Sequence, residues 1–159
     1  AGCRLCPHQL ASCTIVAKSL WRIRFTKASE AATVVATNDQ AHSPISADTA
    51  HRAGAIDHLR RVIDCGQAFG AEALCGPYYQ PLGEFTGDGA TEDELSHGAE
   101  VHRELAAYAE KAGIVLAIES LNRFEAYFLN TIEQAAAYVK RVDHPNFGTM
   151  FDINIAEHF

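Results

Sequence analysis

The chain has 159 residues, 48% of them hydrophobic and 21% charged, an ordinary composition for one globular domain. Its net charge of −7 repels nucleic acid and anionic membrane surfaces, so neither is expected as a partner. No apolar run approaches the roughly 20 residues that a membrane-spanning helix needs, and the basic-apolar-small pattern of a secretory signal is absent from the start.

The charge is unevenly spread. Residues 1–31 carry five Lys/Arg and one Glu, a net of +4, whereas residues 32–159 carry eight Lys/Arg and 19 Asp/Glu, a net of −11. Two regions follow: a basic N-terminal segment, 1–31, and an acidic domain, 32–159. The five cysteines are an odd number and form no disulfide framework. Cys65 and Cys75 sit among apolar residues as reduced core thiols do, which together point to the cytoplasm.

In the first segment Trp21, Ile23 and Phe25 alternate with polar residues, the period of a half-buried strand. Cys3, Cys6, His8 and Cys13 include a Cys-x-x-Cys, but their spacing matches no common zinc finger. From residue 32 onward short apolar runs alternate with helical patterns. Thr33–Ala36 reads as a buried strand and leads into a polar loop. Ser46 or Asp48 caps a helix whose inner face carries Ile56, Leu59, Val62, Ile63 and Phe69, with Gly70 as the stop. Ala71–Cys75 follows, then a loop rich in Gly, Tyr and Pro.

Thr91 starts the next helix, with Glu92, Asp93 and Glu94 opposing the helix dipole. Its stripe is Val101, Leu105, Tyr108 and Ala112, and Gly113 ends it. Ile114–Glu119 is a continuous apolar strand that stops at a carboxylate. A helix from about Thr131 turns Ile132, Ala135, Ala136 and Val139 inward, and Phe147–Asp152 is a second apolar strand that ends on an acid. His51, His58, His97 and His102 fall on helix patterns, where solvated or partly buried structural roles suit them. The order β, α, β, α, β, α, β implies a parallel sheet with covering helices. Both a doubly wound sheet and a (β/α)8 barrel fit, and the latter usually needs about 250 residues.

Two consecutive strands ending in Glu119 and Asp152 form a βαβ unit. If the strands are sheet neighbours, they lie about 4.8 Å apart. Carboxylates that close repel unless one is protonated or a cation lies between them, and oxygen ligation suits Mg²⁺ or Mn²⁺. The alternative is that each acid simply opens a solvated loop. The segment Glu119–Glu125 then adds Asn122, Arg123 and Glu125 around Phe124, a polar density suited to binding a sugar, unless Arg123 merely pairs with Glu125.

The runs IESLNRFEAYFLNT (Ile118–Thr131) and HPNFGTMFD (His144–Asp152) resemble the ketose 3-epimerase branch of the xylose-isomerase-like TIM barrels. LCGPYYQPLGEFTG (Leu74–Gly87) and the stretch Ser43–Cys65 are similar to that group's third and second βα units. The resemblance implies a partial TIM barrel of about four βα units with outer helices, and an isomerase that epimerises a small ketose at C3 through an enediolate. It implies a divalent metal, Mn²⁺ or alternatively Mg²⁺ or Co²⁺. Glu119 would be a metal ligand and an acid/base, and Asp152 the second ligand. Glu125 would contact the sugar near C1, Cys75 and Gly76 would lie beside it, and Tyr78 and Tyr79 would cover it. Asn122 and Arg123 belong to the same binding motif.

The family's Asp-Thr-Phe-His is replaced by Asp152-Ile153-Asn154. Its His and Glu ligands from later strands, and its second acid/base glutamate, have no counterpart in this sequence; His158 is a remote substitute for the missing histidine. Two readings therefore stand: a metal-dependent epimerase completed by another chain in a homo-oligomer, and a non-catalytic truncated remnant.

Overall fold

The computed structural model of the chain describes residues 14–16 and 32–151. Five strands form one sheet: β1 (Thr14–Val16), β2 (Ala32–Val35), β3 (Ala71–Gly76), β4 (Val115–Glu119) and β5 (Phe147–Phe151). Three helices separate the last four strands: α1 (Thr49–Ala68), α2 (Glu92–Ala112) and α3 (Ile132–Val142). The strand order is β1-β5-β4-β3-β2, with β2 to β5 mutually parallel and β1 antiparallel to β5.

Each helix starts where its capping chemistry starts. The Asp48 carboxylate accepts from Ala50 N–H at the head of α1. Thr91 with Glu94, and Thr131 with Gln134, form full capping boxes for α2 and α3. Gly113 closes α2 in the left-handed conformation, φ 74°, which costs glycine little. Among the described residues no helix is long and apolar enough to cross a membrane.

The sheet's two faces differ. On one, Leu74, Leu116, Ile118 and Phe147 join residues of all three helices in the main core, including Leu59 of α1, Leu105 of α2 and Tyr138 of α3. Burying a large apolar side chain of this kind contributes about 1.5–3 kcal/mol. On the other, Ala73, Cys75, Ala117 and Met150 form a small cluster with no helix residue in it. Sequential parallel strands with every helix on one face exclude the doubly wound arrangement, whose order reverses and whose helices cover both faces. The chain is a segment of barrel wall with outer helices, and the small-residue face is the inner one.

Several expected positions shift. Phe69 is 61% exposed at the C-cap of α1, one position past its last residue Ala68. Ile132 is 38% exposed at the first position of α3, whereas Ala135 is buried and Val139 packs partly buried against the core as expected, with Tyr138 and Val142 buried beside them. His102, expected at most partly buried, has no exposed surface at all. Trp21, Ile23, Phe25, His158 and the group Cys3, Cys6, His8 and Cys13 lie outside the described residues; the strand found before residue 32 is Thr14–Val16, which the alternation did not mark. Cys65 is a free thiol, as expected.

Candidate active site

Parallel strands deliver their last residues to one rim, and here β3 ends at Cys75–Gly76 and β4 at Glu119. In register, Cys75 faces Ala117, Gly76 faces Ile118, and Glu119 faces Met150 of β5. β4 and β5 are therefore the sheet neighbours that the paired acids required. Strand alternation sets Glu119 on the same face as Ala117, the inner face that Cys75 and Met150 share. Glu119 is half-buried there. Asp152 lies outside the described residues, one position past the end of β5.

Gly76 has φ 118°, and a Cβ on it would stand 2.7 Å from the Ala36 carbonyl oxygen. Only glycine lets β3 pass this close to the residue that follows β2. Cys75 is 2% exposed and offers a small apolar floor beside the rim.

The loop after β4 is internally tied. Asn122 donates from its amide to the Glu125 carboxylate and accepts from Phe124 N–H at 2.9 Å. Arg123 lies over the Phe124 ring, 5.8 Å from its centroid, so Glu125 pairs with Asn122 and not with Arg123. Asn130 donates to the carbonyls of Leu121 and Ala126 at 3.0 and 2.8 Å and holds the base of the loop. Glu125 and Arg123 are exposed, and Asn122 is half-buried. The motif's polar groups thus stand on a fastened loop that follows Glu119.

Tyr78 and Tyr79 do not cover the rim. Both are fully buried and belong to the helix-side core. The reason is that Gly76–Pro77 turns the chain inward, where the two rings pack: Tyr79 stacks on Phe128 and Tyr78 sits edge-on to His102. The Tyr79 hydroxyl donates to Leu129 O at 3.3 Å. Burial raises its pKa, and the negative charges of Glu119 and Glu125 raise it further, so it stays protonated beneath both carboxylates.

Three buried polar side chains, invisible to sequence reading, knit the rim loops. Asn38, after β2, donates to Tyr78 O at 2.6 Å. His102 of α2 meets the same carbonyl at 3.3 Å through Nε2 and the Tyr138 hydroxyl at 2.7 Å through Nδ1. Gln80 links the loops after β3 and β4. Loop polar residues ordinarily read as solvated, and nothing in their spacing marks these as interior.

A cleft of about 550 Å³ opens between the first turns of α1 and α2, lined by His51, Phe85, Glu94, His97 and Tyr127 among others. None of Cys75, Gly76, Glu119, Asn122, Arg123 or Glu125 lines it, so it is separate from the strand-end site.

Comparison with known proteins gives a coherent result. The family model described as "Xylose isomerase-like TIM barrel" matches residues 20–154. The L-ribulose 3-epimerase of Methylomonas sp. (strain DH-1) is 35% identical over 101 residues, 64% of this chain and 35% of that relative. A probable ketose 3-epimerase of Synechocystis sp. (strain ATCC 27184 / PCC 6803 / Kazusa) is 33% identical over 98 residues, 62% of this chain and 34% of its own length. Among solved structures, the D-allulose 3-epimerase from Methylomonas sp. in complex with D-allulose superposes with TM-score 0.68 at 30% identity. That match covers 71% of this chain and 39% of the other. The match thus spans about a third of the length of these curated relatives.

Proposed function

Because the chain belongs to the xylose isomerase-like TIM-barrel family, matched over residues 20–154, we propose that it carries part of a sugar epimerase site that acts on a ketose at C3. The observation that carries this reading is the position of Glu119. It ends a central parallel strand, on the inner face, beside the strand that leads into Asp152. Similarity to epimerases of L-ribulose, D-psicose and D-allulose supports the substrate class.

A divalent cation, Mn²⁺ or else Mg²⁺ or Co²⁺, belongs to this reading. Among the described residues no three His, Cys, Asp or Glu side chains gather around one point. In this reading Glu119 would supply one hard oxygen donor, and Asp152, outside the described residues, the second. Carboxylate oxygens suit such ions. When bound, the ion would draw electron density from the ketose oxygens and make the C3 proton more acidic.

The chain's own side chains supply one half of the proton transfer, the exchange on one face of the sugar. Glu119 takes the C3 proton from one face of the sugar, leaving an enediolate, and can return it to the same carbon. Glu125 accepts a hydrogen bond from a hydroxyl near C1, and Asn122 fixes which carboxylate oxygen is turned toward the sugar. Cys75 and Gly76 form the floor, and the low polarity around Cys75, Ala117 and Met150 strengthens charge interactions at the rim.

Calorimetric titration with Mn²⁺ tests the donor set without a choice of sugar. The account expects binding by the wild-type chain that is abolished in Glu119→Gln. Equal heats for the two proteins would overturn the assignment of Glu119.

A further inference from the structure

We propose that Gln80 is the positioning residue of this site: its buried side-chain amide holds the loop that presents Asn122 and Glu125 to the sugar. The proposal rests on the epimerase reading for its consequence and on geometry alone for its mechanism.

Gln80 has no exposed surface. A buried amide is costly unless its hydrogen-bonding capacity is met, and here it is met in full. Oε1 accepts from Tyr127 N–H at 3.1 Å and from Phe128 N–H at 2.9 Å. Nε2 donates to Pro81 O at 3.0 Å and to Glu84 O at 3.2 Å. The oxygen therefore grips the loop after β4, and the nitrogen shapes the loop after β3.

The grip falls two and three residues past Glu125. One backbone bond completes the pairing, from Gly83 N–H to Glu125 O at 2.9 Å. Glu125 is thus bracketed: Asn122 holds its carboxylate, Gly83 its carbonyl, and Gln80 the chain just beyond it. Tyr127 and Phe128 N–H have no strand or helix partner of their own, so the amide oxygen substitutes for the ladder that a regular element would supply. A residue with this role acts on substrate through Glu125 and has no part in proton transfer at Glu119.

Two substitutions separate the halves of the amide. Gln80→Met keeps the volume and removes all four bonds. Gln80→Glu keeps an oxygen for Tyr127 and Phe128 and loses the donor. Amide hydrogen exchange and ketose affinity are measured on both, with D-allulose as the probe sugar in the presence of Mn²⁺. In Gln80→Met the amides of 121–128 should exchange at least about tenfold faster, since each net hydrogen bond is worth about a factor of five and the loop loses two, while those of α1 to α3 keep their protection. KM should rise by about the same factor at nearly constant kcat. Gln80→Glu should restore most of the protection at Tyr127 and Phe128.

Unchanged exchange in 121–128, or a uniform rise across the whole chain, would overturn the positioning role whatever the activity. A selective rise in exchange with unaltered KM would also overturn it and leave Gln80 a structural staple. If the wild type neither binds nor turns over any ketose, the epimerase reading fails by itself, and the exchange pattern still decides whether Gln80 holds the loop.

Discussion

Glu119 and His102 are placed very differently, one at a strand end and one in the core. Glu119 stands half-buried at a strand end, on the inner face of the sheet. His102 is enclosed by the rings of Tyr78, Tyr138 and Phe147, with the Tyr138 hydroxyl and the Tyr78 carbonyl as its polar partners. Burial lowers its pKa to about 4, and the Tyr78 carbonyl opposes the shift only in part. Between about 4 and its ordinary value near 6.5 the unfolded chain holds a proton that the folded chain does not. The stabilisation from a neutral His102 is therefore complete above the ordinary value and declines as pH falls toward 4. That loss is on the order of 3 kcal/mol across the interval. Urea unfolding at pH 7, 5.5 and 4.5 should show a steeper decline for the wild type than for His102→Gln; parallel declines would mean that the ring is not buried neutral.

Residue-scale chemistry was only partly legible in the sequence. Glu119 could be placed because a continuous apolar strand stops at it. The pairing of Glu125 with Asn122 could not, since Arg123 offered an equally close partner by sequence. Composition marks Tyr78 and Tyr79 only as loop residues, and it is the family resemblance that set them over a site. Their burial follows from the direction of the turn after Gly76, a backbone property that composition does not encode.

Elements were legible where their ends carry distinct chemistry. Thr91 and Glu94, Thr131 and Gln134, Asp48 and Gly113 all mark real helix boundaries. Inner stripes were less certain at their edges: in α3 Ala135 is buried as expected, but Ile132 in the first turn is exposed and Tyr138 joins the core. The α2 cap has a second duty. Glu94 accepts from Thr91 N–H and Oγ1 and also takes the Tyr127 hydroxyl, beside the loop that Gln80 grips. Thr91→Ala should cost about 1 kcal/mol in denaturant unfolding with an unchanged m value. A loss below about 0.3 kcal/mol would show that water replaces the cap.

At the scale of the whole molecule, alternating strands and helices left two architectures open, and only the spatial order of strands decides between them. β2, β3, β4 and β5 run in sequence, with every helix on one face, which is barrel wall. The inner face is lined by Ala73, Cys75, Ala117 and Met150, none of them charged, so that Glu119 stands at the rim of an apolar surface. The antiparallel strand β1 at the β5 edge had no signal in the sequence, since Thr14–Val16 is too short for periodicity to speak. It occupies the place where an all-parallel barrel sets its next parallel strand.

The central claim is that Glu119 exchanges the proton at C3 of a ketose, and isotope exchange tests it most directly. The chain is incubated in D₂O with Mn²⁺ and each of a set of ketopentoses and ketohexoses, and deuterium at C3 is followed by NMR. One base suffices for this exchange, so the measurement reads what these residues do by themselves. The account predicts deuterium at C3 of at least one ketose, with the rate reduced about a hundredfold or more in Glu119→Gln. No incorporation at C3 in any of them, or incorporation that survives in Glu119→Gln, would contradict it.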